Sequence, residues 1–328
     1  MESVSQLHYL VKRALTYLIV FVVVLNLIFI LPRLVPGNAA EILASSTYVP
    51  ANAVKEISAR LGLDQPIGLQ YTTYLKNIFL VWPPYFGVSF SYYPSTVSDL
   101  FGVRIGWTLL LILTSIGLAE LWTYFLGAIL ALRRGGKFEI GSLYTMITLN
   151  SLPLFWLSMV LIYAFAIYSH YFPLSGNFDQ NVAPGLPYFY SVIWHAVLPV
   201  FVLSVSLMGE SFLLLRGSMQ DILKSDFVLT ARSRGLSNWE VSSGYILRNS
   251  LLPLISQASF SMAGMISRVI LVEFVFGYPG VGDLIVDAVL GRDYPVLEGS
   301  LFYVTLLIIA GGLIGDFLLM KMDPRLHD

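Results

Sequence analysis

Five ionisable residues stand inside long apolar runs of the sequence: Glu120, Glu210, Arg268, Glu273 and Asp316. A charge in hydrocarbon is costly, so such groups turn toward a bundle interior or a cavity and pair there. Glu120 falls near the middle of its run. Arg268 falls about 5 Å past the centre of its own at the rise of a helix. The two then differ in depth by roughly 7 Å on the same arithmetic, within reach of an arginine. Arg268 is therefore expected to pair with Glu120, or with Glu273 five residues on, and these three residues are the candidates for a pathway or gate. A static pair between helices is the plainer alternative.

Other chemistry is poorly provided for. The chain has no cysteine, which removes disulfides, thiol catalysis and cysteine-ligated metals. His8, His170, His195 and His327 include no i,i+4 pair of the zinc-protease kind. The run RRGGK at 133–137 lacks the spaced glycine and the Ser/Thr of a phosphate loop, since Phe138 follows Lys137. No cofactor, metal or enzymatic activity is expected.

The elements that must position these residues are membrane spans. Of 328 residues, only 12% are charged and 56% hydrophobic, about half the charge of a soluble domain. Such a composition cannot cover a water-facing surface, and it excludes disorder as well. A net charge of −1 gives nucleic acid no basic face to meet. Lipid is the expected surroundings. Six runs reach the length a helical crossing needs: roughly 13–32, 105–132, 142–168, 192–215, 254–276 and 298–320. The first has an apolar stretch longer than a cleaved signal's, so an uncleaved anchor is expected.

Lys and Arg in the short flanking segments set the orientation. The flank at Lys12 and Arg13, the turn with Arg133, Arg134 and Lys137, the loop with Arg216, Lys224, Arg232, Arg234 and Arg248, and the tail with Lys321 and Arg325 all fall on one side. Opposite them, 169–191 has no basic residue and 277–297 has only Arg292. Both termini are thus expected in the cytoplasm. The outer segment 33–104, with a helical stretch near 50–62 and the aromatic run WPPYFGVSFSYYPS at 82–95, has to fold by packing on the spans. Its aromatics suit an interfacial belt, with contact to a substrate or external protein as the other reading. Gly102/Gly106 and Gly311/Gly315 are GxxxG pairs, expected to let helices approach closely.

The loop 216–252 is the most polar and basic piece. Residues 226–234 read as a short helix stopped by Gly235. Ser237-Asn-Trp-Glu240 then fits a capping box opening a second helix to about Arg248, with Pro253 marking entry to the fifth span. An apolar stripe of Phe227, Leu229, Ala231, Leu236, Trp239 and Ile246 runs among the basic residues. A bare return to the membrane needs only a few residues, so two capped helices indicate a surface for a soluble partner.

The run LLLRGSMQDILKSDFVLTARSRGLSNWEVSSGYILRNSLLP, 213–253, resembles the cytoplasmic-loop signature of ATP-binding-cassette importer permeases, specifically the dipeptide/oligopeptide/nickel family. That family reads D-Y-V-x-T-A-R-A-K-G-L and then H-A-L-R-N-A-L-L-P. Asp226, Thr230, Ala231, Arg232, Gly235, Leu236, Leu247, Arg248, Asn249 and Pro253 stand where the pattern wants them; Tyr245 departs from its usual histidine. LVPGNAAEI (34–42), LGLDQPIGLQYTTYLKNIF (61–79), FGVSF (86–90), VEFVFGYPGVGDLI (272–285) and MDPRL (322–326) are similar to further family elements in the same order. The early ones resemble the subunit type with a long first outer loop.

The resemblance implies an all-α polytopic membrane protein of the type I importer fold, with six transmembrane helices. It implies a second permease subunit, two ATPase subunits gripping the cytoplasmic loops, and an external substrate-binding protein. Asp226, Thr230, Ala231, Arg232, Gly235, Leu236, Arg248 and Asn249 would then form the ATPase-coupling element. The expected organisation is an anchor helix at 1–32, an extracytoplasmic segment at 33–104, a permease core at 105–320 and a cytoplasmic tail at 321–328. Peptide is the first substrate choice, with oligosaccharide or nickel as alternatives. A gradient-driven secondary carrier is the rival reading, but such carriers often show inverted repeats, and the two halves here show none.

Overall fold

The computed structural model describes residues 2–34, 49–61, 63, 65–132 and 136–322. Much of the expected LVPGNAAEI element, most of the RRGGK turn and the DPRL of the tail lie outside them. The described residues form helices α1 Glu2–Leu34, α2 Ala51–Leu61, α3 Ile67–Phe79, α4 Val97–Leu132, α5 Lys137–Ser151 and α6 Leu154–Leu161, which a π-helical stretch continues over Ile162–Tyr168. Then come α7 Leu186–Ile222, α8 Asp226–Ser233, and α9 Asn238–Glu240, which passes through a π-helical stretch at Val241–Leu247 into α10 Arg248–Phe276. Helices α11 Val281–Leu290 and α12 Tyr294–Met322 complete the set. Among the described residues no strand forms; Val88 and Thr96 make one isolated bridge.

Among the described residues four helices are long and apolar enough to cross a membrane: Val11–Leu34, Val97–Leu130, Leu186–Ile222 and Tyr294–Phe317. Two more candidates are bent pairs. Lys137–Ser151 and Leu154–Tyr168 meet at 96°, and Ala263–Phe276 and Val281–Leu290 at 71°. The unbroken third run expected at 142–168 is therefore two helices. The cause is local: Pro153 bars the preceding residue from helical geometry, and Leu152 accordingly adopts ψ 129°. Pro199 and Pro253 stay inside helices α7 and α10, so the boundary expected at Pro253 is absent.

The chain divides into two compact units, residues 1–109 with 277–309, and 110–276 with 310–328. In the first, Leu25, Ile28 and Phe29 of α1 pack with Tyr74 and Ile78 of α3, Phe86, Val97, Leu284, Val296 and Phe302. A second cluster joins Val49, Ile57, Leu63, Phe90 and Tyr294. Polar pins hold the irregular stretch between α3 and α4. The buried Asp293 carboxylate accepts from the Ser89 hydroxyl at 2.5 Å and from the Ser91 N–H at 2.9 Å. Tyr92 donates to Asp287 at 2.8 Å, and Arg104 bridges to Asp283 at 3.0 Å. Arg33, near the end of α1, pairs with Glu298 at 2.5 Å and lies over the Phe29 ring.

The second unit is built on α7, which packs against α5 and α10. Leu130, Met146 and Phe212 form one cluster there. Arg216 of α7 ties α5 through Glu139 at 3.0 Å.

Close helix approach does not fall on the first of the GxxxG pairs, Gly102/Gly106, while Gly299 makes one. A Cβ at Gly102 or Gly106 would meet nothing within 4 Å, whereas one at Gly299 would lie 2.5 Å from Val97 Cγ1 and 2.9 Å from Phe86 Cγ. Gly299→Ala should therefore destabilise the purified chain by about 1–3 kcal/mol through overpacking. Gly102→Ala should be neutral or stabilising by up to about 1 kcal/mol, the helix-interior gain over glycine. Thermal unfolding in one detergent ranks the two; equal midpoints would contradict the packing described.

Candidate functional site

The loop between α7 and α10 is a folded element with an inside and an outside. Helix α8 starts after Ser225 and ends in a Schellman motif: the Leu236 N–H reaches the Ala231 carbonyl at 3.4 Å and the Gly235 N–H the Arg232 carbonyl at 2.9 Å. That turn needs a left-handed residue after the C-cap, and Gly235 has φ +78°. Ser237 then opens α9. Its hydroxyl accepts from the Glu240 N–H at 3.3 Å, and the Glu240 carboxylate accepts from the Ser237 N–H at 2.8 Å, completing the capping box. The Ser237 hydroxyl also donates to the Glu240 carboxylate at 2.7 Å, and this bond first, then the one from the Ser237 N–H, holds the Glu240 carboxyl below the usual carboxylate range.

The expected apolar stripe splits in two. Ala231 and Ile246 are buried and Leu236 half-buried, packed with Leu215, Met219, Val228, Val241 and Leu254. Phe227, Leu229 and Trp239 face outward, at 44%, 66% and 60% exposure. The two valines, which the stripe left out, are the main inward anchors. A helical wheel of α8 alone carries the signal, because Val228 and Ala231 are three apart and share a face, while Phe227 and Leu229 flank it. Of the expected coupling residues, Asp226, Thr230, Arg232, Gly235, Arg248 and Asn249 are exposed. Thr230 and Asn249 bond back to the Asp226 and Tyr245 carbonyls. Arg232, Arg234 and Arg248 give the outward surface positive charge beside its aromatics.

The charges within the spans pair differently from the expectation. Arg268 of α10 makes its ion pair with Glu210 of α7, at 2.5 Å, and a longer bond to the Ser206 carbonyl. The expected pairing with Glu120 or Glu273 is corrected. Glu120 instead accepts from the Ser211 hydroxyl at 2.9 Å, and Glu273 is fully buried. Glu210 and Arg268 lie on neighbouring helices, α7 and α10, and which of their residues meet depends on the relative register of the two, a matter of packing. Glu210 was visible as an ionisable residue; its partner was not. Among the described residues no group of His, Cys, Asp and Glu is arranged to hold a metal. The buried His195 is held by the Ser191 carbonyl at 2.8 Å.

Apolar helices, a folded polar loop and a charge pair between helices suit a transport subunit, and comparison with known proteins identifies it. Residues 123–328 match the model of the binding-protein-dependent transport system inner membrane component, and residues 6–101 match the N-terminal model of the same membrane components. The chain belongs to this family, the membrane permeases of ATP-binding-cassette importers. It is 30% identical over 319 residues to the oligopeptide transport system permease protein AppB of Bacillus subtilis, covering 97% of this chain and 99% of that one. A probable peptide ABC transporter permease protein of Sinorhizobium fredii is 32% identical over 97% of this chain and 99% of its own length. The dipeptide transport system permease protein DppB of Escherichia coli is 27% identical over 98% and 99%. The protein is thus a multi-pass membrane transport subunit and not an enzyme.

The capping box makes a local prediction. Ser237→Ala should cost about 1 kcal/mol of loop stability, read as faster amide exchange at 238–241. Since the folded state depresses the Glu240 pKa, its contribution is complete above the ordinary value of 4.5 and is lost as pH falls through the folded value. Exchange protection that does not weaken on acidification would remove Glu240 from the cap.

Proposed function

We propose that this chain forms half of the translocation path of an ATP-driven peptide importer and is driven through the loop at 225–249. Substrate arrives from an external binding protein, a second permease completes the path, and two ATPase subunits supply the energy. The first two relatives described are named as peptide or oligopeptide permeases and the third as a dipeptide permease, which supports peptide over oligosaccharide or nickel. The expected organisation carries over: six crossings, the two bent pairs counting as one each, both termini in the cytoplasm, and an outer segment at 33–104 between the anchor helix at 1–32 and the core at 105–320, with the tail at 321–328.

One observation carries the coupling role. Val228, Ala231 and Leu236 fasten α8 into a cluster shared with α7 and α10, so a push on the loop reaches those helices without being absorbed locally. The exposed Phe227, Leu229 and Trp239 and the exposed Arg232, Arg234 and Arg248 include the aromatic and arginine side chains that dominate protein interfaces. Asp226, Thr230, Gly235 and Asn249 shape this element through its caps and turns. Ala231 and Leu236 face inward, so they are supports rather than contact points.

Purified from its native membrane, the chain should bring down two ATPases and a second permease, and peptide uptake should stop without ATP. A crosslinker at Leu229 or Trp239 should capture an ATPase subunit, and Trp239→Ala should lower transport at least about tenfold, the cost of a hot-spot aromatic. Uptake by the chain alone, driven by an ion gradient, would instead make it a secondary carrier.

A further inference from the structure

Helix α10 carries a polar stripe. Gln257, Ser261, Gly264 and Arg268 follow one another at intervals of four, three and four residues, which is one face of a helix. Over roughly 16 Å of helix axis this face is hydrophilic. With Leu207 and Glu210 of α7 it lines a cleft of ≈ 250 Å³. Glu210 and Arg268 keep 42% and 29% of their side-chain surface exposed. Gln257 is half-buried; its Oε1 is itself buried and has no hydrogen-bond partner among the described residues, and a Cβ at Gly264 would meet nothing within 4 Å.

Lipid cannot be what lies against this face. A half-exposed carboxylate and a part-exposed guanidinium are costly against hydrocarbon, and the buried, unpartnered Gln257 oxygen calls for a bound water. Water or a polar solute must meet them. The charges are already matched by each other, so no ion from a neighbouring protein is needed, and the open space at Gly264 keeps the cleft continuous along the stripe. Its volume lies just under that of sites enclosing a whole small ligand, which suits one end of an extended molecule. A paired cation and anion can be exchanged for the two signs of a zwitterion; a guanidinium takes a carboxylate in two parallel bonds, and the amide of Gln257 complements a peptide group.

We propose that Gln257, Ser261, Gly264 and Arg268, with Glu210 opposite, are this subunit's water-lined wall of the translocation path, and that the Glu210–Arg268 pair opens to a passing peptide, Arg268 taking its terminal carboxylate. The second half rests on the peptide-importer reading above; the first does not. Because the chain has no cysteine, single cysteines report cleanly. In the assembled transporter in lipid vesicles, a charged, membrane-impermeant thiol reagent should label Gln257→Cys, Ser261→Cys and Gly264→Cys, but not Met265→Cys, whose native side chain is buried. Peptide should slow labelling at 264. The intact transporter should prefer a free peptide over its C-terminal amide by about tenfold, the worth of one bond to a charged group, and Arg268→Gln should bring that preference toward parity. No labelling along the stripe while peptide uptake is intact would mean that protein covers this face, and would overturn the wall. A preference untouched by Arg268→Gln would overturn the role of the pair. If the unaltered transporter takes up no peptide, the importer reading itself falls, and the labelling pattern still decides the wall.

Discussion

A chain in hydrocarbon has no solvent for its polar groups, and that single constraint organises this protein. Each polar side chain within the helical body must meet a partner inside it or line a wet cavity. Several ionisable residues, within the helical body and at its ends, cross-link elements distant in sequence. Arg268 joins α10 to α7 through Glu210, Arg33 joins α1 to α12 through Glu298, and Arg216 joins α7 to α5 through Glu139. Between apolar helices in lipid the hydrophobic effect offers little discrimination, so such pairs do much to select one register over its neighbours.

Outside the body the same chain follows ordinary aqueous rules. The loop at 225–249 is held by a small buried cluster, a Schellman turn and a capping box, all familiar from soluble proteins. Its inward face is committed to α7 and α10, and its outward face keeps Phe227 and Trp239 exposed among the described residues.

Much of this was legible in advance. The low charge and long apolar runs implied a helical membrane protein, and Ser237 and Glu240, Gly235 and its neighbours implied the two caps, because capping depends on residues within four positions of one another. Less legible were the break at Pro153 and the continuity through Pro253. The two prolines look alike in sequence, and whether a helix survives one depends on what surrounds the freed carbonyl. The amphipathic division of α8 was half legible: its apolar residues were evident, but which of them turn inward depends on where α7 and α10 stand.

By itself, the sequence determined what is local or compositional: lipid as the solvent, the helical class, the caps, the polar loop. Tertiary structure alone decided who meets whom, as with Glu210 rather than Glu120 at Arg268, Gly299 rather than Gly102 at a close approach, and Val228 rather than Phe227 in the loop's interior. Local signals are carried by neighbours a turn apart, whereas a meeting between helices depends on register and rotation, and these are set by the sum of many weak contacts that no single stretch of sequence contains.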